Sequence, residues 1–544
     1  MNMTYDLIIY NGEIITLEDE LPHIKALGIE DGTITKVWTD VFDFEEVTSK
    51  KWYNLEGKTL IPGFIDTHNH ILMYAKMKSQ VYCGSPANKN VQELLDTIEN
   101  ETKNQNSNQW IIGFGYDDTM LKEQRHITRE EIDKIAPDHP VFIRHISGHL
   151  AVVNSKALEV SGISDDIEDP SGGHFGRHSN GKLDGVLFEL PVLEMVMRHL
   201  DQLTKDELTR LMIEASRDYI KQGITTNTDA AVGLDGGYSE YEEHIRAITH
   251  PDFKLKMRYM VMDDVLNEKP FDGMSADEVD SYISFQSNGQ ARLDSAKFFQ
   301  DGSIQGYTGA LRDGYYLESE HNGALIHEQE TLNEMFQNAH DRGFRIACHG
   351  NGDLAIDSII QALIKAIEKF TREGHLHRIE HLQTAREEDL KRMAEYDIAA
   401  SLFINHVYYW GDRHRDIFLG PKRAEKLDPL NSVREHDLLY TIHSDNPITA
   451  ISPLFSIWAA VNRVTRDGHV LGEAEKIDAL EALKSMTLYG ARLNDTEETN
   501  GSIQVGKEAD FAVLDENPLT IDPMKIKDIQ IEQTFIDGEP CIKQ

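Results

Sequence analysis

The chain has 544 residues, 40% apolar and 27% charged, with 38 glycines and 16 prolines, a globular composition that excludes a disordered or collagen-like chain. A formal charge of −39 repels nucleic-acid phosphates and anionic lipid, so neither is an expected partner. Three scattered cysteines, Cys83, Cys348 and Cys541, argue against a disulfide framework; with no basic apolar leader and no apolar run near the ~18 residues of a membrane span, a soluble, cytoplasmic chain is expected.

The first sixty residues read as short strands. Asp6–Tyr10 and Glu13–Leu17 flank Asn11-Gly12, and Ala26–Glu30 and Thr33–Trp38 flank Asp31-Gly32, dipeptides that tolerate the positive φ of tight hairpins. The last forty residues look similar, with Asp510–Leu514 as a strand and Thr534–Ile536 leading into Asp537-Gly538. Two β-rich ends predict one small β-sandwich built from both termini, residues 1–61 and 491–544.

Between them, short apolar runs alternate with helical stretches, the pattern of a parallel α/β fold. Eight runs qualify as strands: Gly63–Asp66, Ile224–Thr228, Met257–Met262, Ala296–Gln300, Phe344–Cys348, Leu376–Glu380, Ile398–Leu402 and Leu439–Ser444. Helical stretches such as Thr331–Asp341, Leu354–Thr371 and Arg386–Glu395 separate them. Eight strand–helix units predict a (β/α)8 TIM barrel over residues 62–490. The interval 71–222 is too long for one loop. It has helical stretches of its own (Val91–Thr102, Lys205–Gln222), an apolar strand at Val141–Ile146 and a Gly-rich segment, Pro170–Gly185. It reads as an inserted subdomain over the barrel mouth.

The chemistry gathers where the apolar strands end. Strand one finishes on His68-Asn69-His70, and side chains at i and i+2 of a strand share a face. Strand five leads to His349, strand six to His381 and strand eight to Asp445. The C-terminal ends of barrel strands are where catalytic groups collect. Four imidazoles and a carboxylate converging there suit zinc or a similar divalent ion. Strand four carries Lys297 inside an apolar run. Two readings of it stay open: a snorkelling or salt-bridged lysine, or an amine desolvated enough to capture carbon dioxide as a carbamate.

Taken in order, IPGFIDTHNH, KFFQDGS, CHGNGD, RIEHLQ and HSDNP resemble the amidohydrolase superfamily. The branch that looks closest includes N-substituted formamide deformylases. IIGFGYDD with PDHPVFIRHISGHLAVVNSKAL resembles that branch's insertion, and GSIQVGKEADFAVLD its return to the β-sandwich. The resemblance implies that His68 and His70 hold a more buried metal and His349 and His381 an outer one. It implies an N-carboxylated Lys297 bridging two ions, or an unmodified lysine beside one ion. Asp445 would ligate metal and act as general base.

A bound divalent ion lowers the pKa of water toward about 7 and polarises a carbonyl, while a carboxylate within hydrogen-bond reach takes the proton. The expected reaction is hydrolysis of a non-peptide C–N bond (amide, N-acyl or N-formyl) in a small molecule. An amino-heterocycle deaminase and a catalytically silent scaffold are the alternatives. The resemblance is also compatible with self-association, which no feature of the sequence demonstrates. His149 would face substrate, Tyr116 could wall the pocket, and Asp301 and His406 are further candidates at the mouth, the last beside Tyr408, Tyr409 and Trp410. Asp353 is expected to cap the following helix. Arg378, alternating with Ile379, is expected to point away from the barrel axis into a structural ion pair.

Overall fold

The computed structural model describes residues 4–542 except 22, 23, 41, 43–46, 86, 147, 149, 171 and 172. The chain divides into two compact units, Met1–Leu72 with Met212–Gln544, and Met73–Leu211. No helix among the described residues is long and apolar enough to cross a membrane.

The first unit is built on eight strands: β1 (Phe64–Asn69), β2 (Ile224–Val232), β3 (Lys256–Met262), β4 (Ala291–Phe299), β5 (Ile346–Gly350), β6 (Arg378–His381), β7 (Ala399–Leu402) and β8 (Tyr440–Ile442). Each pairs in parallel with the next in chain order, giving one eight-stranded sheet. The edge strands β1 and β8 are joined by Thr67 Oγ1 and Thr441 Oγ1 at 2.8 Å, so the barrel is nearly closed. All eight expected strands are present, because strands buried on both faces read as continuous apolar runs. Helices separate them, among them Ala276–Gln286, Gln329–Asp341, Asp353–Lys369 and Glu387–Glu395. This is a TIM-barrel α/β fold.

Asp353 departs from expectation. It is the first residue of its helix, and its Oδ1 accepts from the Arg312 backbone N–H at 3.0 Å instead of capping its own helix.

Two small sheets complete this unit. One orders Thr33–Trp38, Ala26–Glu30, Thr4–Tyr10 and Thr48–Asn54; the other orders Glu13–Ile14, Thr59–Pro62, Phe511–Leu514, Ile531–Ile536 and Glu539–Pro540. Side chains from both chain ends share one apolar cluster, including Ile9, Leu27, Leu60, Phe511 and Phe535. The expected hairpin about Asp31-Gly32 forms, with Glu30 opposite Thr33 and both turn residues at positive φ. The one about Asn11-Gly12 does not, since Thr4–Tyr10 and Glu13–Ile14 enter different sheets. Gly12 is needed there for space: a Cβ would lie 2.4 Å from the Lys58 carbonyl oxygen.

The second unit has its own six-stranded sheet, ordered His174–Arg177, Leu183–Phe188, Leu150–Val153, Val141–His145, Ile111–Tyr116 and Val81–Tyr82. Two apolar clusters support it, one containing Leu94, Ile98, Ile132 and Ile143 and the other Phe142, Leu158, Phe175 and Leu193. The segment expected to be merely Gly-rich thus supplies two strands.

Candidate metal centre and active site

β1 ends so that His68 and His70 both turn toward Asp445, just past β8. His68 Nε2 lies 3.4 Å and His70 Nε2 3.2 Å from the same oxygen, Asp445 Oδ1. That oxygen is buried and makes no hydrogen bond with any described residue. Asp445 reaches this position through a left-handed backbone, φ 52°, a conformation tolerated by Asp and costly for most residues. The three side chains are the right types and spacing to hold one metal ion.

Each histidine of this pair has a carboxylate behind it. His68 Nδ1 is 2.5 Å from Glu380 Oε2. His70 Nδ1 is 4.0 Å from Asp229 Oδ1, and the other Asp229 oxygen is 3.0 Å from His244 Nε2. A carboxylate taking the proton of one ring nitrogen leaves the other free to present a lone pair to a cation. Burial disfavours an imidazolium at His68, yet Glu380 and Asp445 raise its pKa above the ordinary value. Asp445 is equally buried, but His68 and His70 hold its carboxyl well below the usual range. The pocket therefore attracts positive charge.

Glu380 is in turn held by Arg378, whose Nε donates to Glu380 Oε1 at 2.6 Å while Nη2 donates to Asp294 Oδ2 at 2.5 Å. Burial opposes ionisation of Glu380, but Arg378 and His68 keep its pKa well below normal. The expected ion pair at Arg378 is thus present, but not its expected direction. Glu380 meets His68 across the barrel, so Glu380, and Arg378 two residues before it, face the interior. The alternation inferred from His381 fails because His381 has a left-handed backbone, φ 70°, which re-aims its side chain.

His381 joins the group: its ring centroid lies 4.9 Å from that of His68 and 4.5 Å from that of His349. Burial depresses both imidazoles, His349 to about 3, with Lys297 adding to the effect there. His349 Nε2 donates to the Gly302 carbonyl oxygen at 3.0 Å. Lys297 Nζ is fully buried, 4.8 Å from the Phe299 ring centroid, and makes no hydrogen bond with any described residue. Burial pushes its pKa down, against the pull of Glu380. His443 was not anticipated. Its ring stacks 4.5 Å from His68, and its Nδ1 is 2.8 Å from Ser401 Oγ. Glu380 was also missed, although a carboxylate inside an apolar strand signals a buried partner.

Of the candidates for substrate contact, Asp301 and His406 lie beside these groups, Asp301 Oδ1 3.7 Å from His349 Nε2 and the His406 ring centroid 6.3 Å from that of His381. Asp301 is buried and spends its carboxylate on three backbone N–H groups: Asn351 at 3.0 Å, Gly352 at 2.7 Å and Ala310 at 2.9 Å. It clamps the loops after β4 and β5 together. Gly352 is required there, since a Cβ would sit 2.0 Å from the Ala310 oxygen. His406 is buried against Phe403, centroids 4.1 Å apart, with Nδ1 3.6 Å from Asp428. Tyr408 and Tyr409 pack on Phe455. Tyr116 belongs to the second unit, fully buried, its hydroxyl 3.1 Å from His126 Nδ1. His149 lies outside the described residues. The second unit also groups Asp117, Asp118 and His145, with His145 Nε2 3.2 Å from Asp118 Oδ1.

The sequence profile of the amidohydrolase family matches residues 51–542. The chain belongs to the amidohydrolase family. Its relatives place it in the amidohydrolase 3 branch. It is 27% identical to an N-substituted formamide deformylase of Arthrobacter pascens, over 99% of this chain and 98% of that one. It is 26% identical to YtcJ of Bacillus subtilis, over 97% and 98% of the two chains. Among solved structures, an uncharacterized metal-dependent hydrolase from Pyrococcus horikoshii superposes with a TM-score of 0.74 at 22% identity, covering 95% of this chain and 99% of that one. That likeness supports the fold. As an amidohydrolase, the protein is a hydrolase of carbon–nitrogen bonds.

Proposed function

We propose that this amidohydrolase uses a divalent metal, zinc by the chemistry of its donors, to cleave an amide, N-acyl or N-formyl C–N bond of a small molecule. The observation carrying this reading is Asp445 Oδ1, buried, without a hydrogen bond, and faced at 3.4 and 3.2 Å by two imidazole nitrogens. Nitrogens and a carboxylate oxygen brought together at that range need a proton or a metal cation between them, and two imidazoles with one carboxylate are a donor set suited to a metal.

His68, His70 and Asp445 would hold one ion, and His349 and His381 a second. A bound divalent ion would supply an acidified water and a Lewis acid for the carbonyl. The chain's own part is then to position and to move protons. Glu380 fixes the ring orientation of His68, and Asp229, 4.0 Å from His70 Nδ1, sets the negative potential behind His70. Asp445, kept ionised, accepts the proton of the attacking water and returns it to the departing nitrogen. Lys297 is a buried amine with a lowered pKa and no hydrogen-bond partner among the described residues. Those are the conditions for a neutral amine to add carbon dioxide, and the resulting carbamate would bridge two ions.

The two small sheets, sharing one apolar cluster, read as halves of a β-sandwich spanning 1–61 and 491–544, with the barrel over 62–490 and residues 71–222 inserted into it.

Elemental analysis of protein purified without chelator or metal-binding tag tests the site. About two zinc or manganese ions per chain support the carboxylated Lys297; one ion leaves it an ordinary lysine. Chelation should abolish hydrolysis of an N-alkylformamide and N-acyl amine panel, and zinc should restore it. A chain that binds no metal on titration overturns the proposal.

A further inference from the structure

The opposite end of the barrel holds a cleft of about 910 Å³. It opens at the N-terminal ends of β2 to β6, away from the histidines. A cleft of this volume suits a small ligand, and six Lys and Arg side chains line it beside seven Asp and Glu, a near balance in a chain of net charge −39.

Three partly exposed arginines line it without a carboxylate in ion-pair contact among the described residues, although Asp294 lies near enough to Arg258 and Arg345 to be held ionised by them. Arg258, on β3, makes no hydrogen bond or ion pair with any described residue, and burial together with the neighbouring Arg345 cation pushes its pKa down to about 10. Arg345 precedes β5 and donates only to the Leu493 carbonyl oxygen, at 2.9 Å. Arg372 precedes β6 and donates only to two carbonyl oxygens, of His340 and Phe344. Most carboxylates of the wall are already paired: Asp280 to Arg292, Glu508 and Asp537 to Lys256, and Asp294 to Arg378 through Oδ2, its Oδ1 being buried without a hydrogen bond among the described residues. Asp277, Asp495 and Glu498 are exposed to solvent.

A second observation points to a ligand. Asn494, 1% exposed and lining the cleft, has both side-chain amide atoms without a hydrogen-bond partner among the described residues, and Thr226 Oγ1 on β2 likewise has none. Buried amides and hydroxyls are rarely left unpaired.

We propose that this cleft binds an oxyanion of the phosphate class, free or carried on a small phosphomonoester. Arg258, Arg345 and Arg372 would neutralise it, and Asn494 and Thr226 would meet its oxygens. Guanidinium forks match phosphate geometry, and such charge-assisted bonds are the stronger kind.

Calorimetric titration and thermal melting of the full-length, metal-loaded protein test this, with sodium phosphate and glycerol phosphate compared against sodium chloride at equal ionic strength. One saturable site per chain is expected, with a rise in Tm that chloride does not give. Arg258→Gln, its metal content unchanged, should weaken binding at least about tenfold; that variant separates this site from anion binding at the metal centre. Arg372→Gln serves if Arg258→Gln fails to fold. Tighter binding of glycerol phosphate identifies a phosphomonoester, and equal or tighter inorganic phosphate identifies the free ion. No saturable response to either anion, or undiminished binding in the variants, overturns the proposal.

Discussion

At the C-terminal ends of β1, β5, β6 and β8 the barrel buries lone pairs: imidazole nitrogens around Asp445 Oδ1. At the N-terminal ends of β2 to β6 it gathers N–H donors: three partly exposed guanidinium groups with no ion-paired carboxylate among the described residues, and the buried amide of Asn494. One end asks for a cation and the other for an anion. A chain of short contacts, Asp294 to Arg378, Arg378 to Glu380 and Glu380 to His68, runs between them, each group in it paired with one of opposite kind. Matched charge is therefore the barrel's structural spine. Unmatched charge marks where something else is expected to bind. That rule separates Asp301, whose carboxylate accepts from three backbone N–H groups, from Asp445, whose Oδ1 accepts from none of the described residues.

The largest effect should come from the unmatched carboxylate. Asp445→Asn keeps shape and removes the base, so kcat should fall about 10²- to 10⁴-fold. Circular dichroism melts should stay close to wild type. A variant within tenfold of wild-type rate would remove Asp445 from the chemistry and with it the contrast drawn with Asp301.

A matched carboxylate should behave differently. Glu380→Gln leaves Arg378 short of one partner and gives His68 Nδ1–H a weaker acceptor. Metal affinity, read by competition with a chelator, should drop about 10- to 100-fold. Stability should drop as well, because breaking a buried pair exposes the remaining charge to an unfavourable interior. Loss of metal affinity with unchanged stability would mean that Glu380 only orients His68.

Much of this was legible in the chain. The eight strands announced themselves as apolar runs, and His68, His70, His349, His381 and Asp445 marked where those runs stop. What escaped the sequence depended on dihedral angles or on residues far apart. The left-handed backbone at His381 reversed the facing of Arg378 and hid Glu380. The strand Thr48–Asn54 is largely exposed and polar, so it carries no apolar pattern. His174–Arg177 and Leu183–Phe188 sit in a segment rich in glycine and polar residues, where propensity favours turns. Arg258, Arg345, Arg372 and Asn494 belong to separate elements, and only closure of the barrel brings them to one cleft.

The smallest expected effect is the sharpest test of the rule itself. Arg258→Met keeps an unbranched stem of similar reach and deletes a guanidinium that forms no ion pair with a described residue. In phosphate-free buffer the wild type carries the cost of that charge, its pKa pushed down to about 10, so the variant should melt higher, by about 1–2 °C for a chain of this size. In saturating phosphate the order should reverse, because ligand binding to the folded state stabilises only the protein that retains the site. A crossing of the two melting curves is therefore the signature of an unmatched charge awaiting a ligand. A variant that melts lower in both buffers would show that Arg258 stabilises the fold unaided, and the two ends of the barrel would no longer be alike in kind.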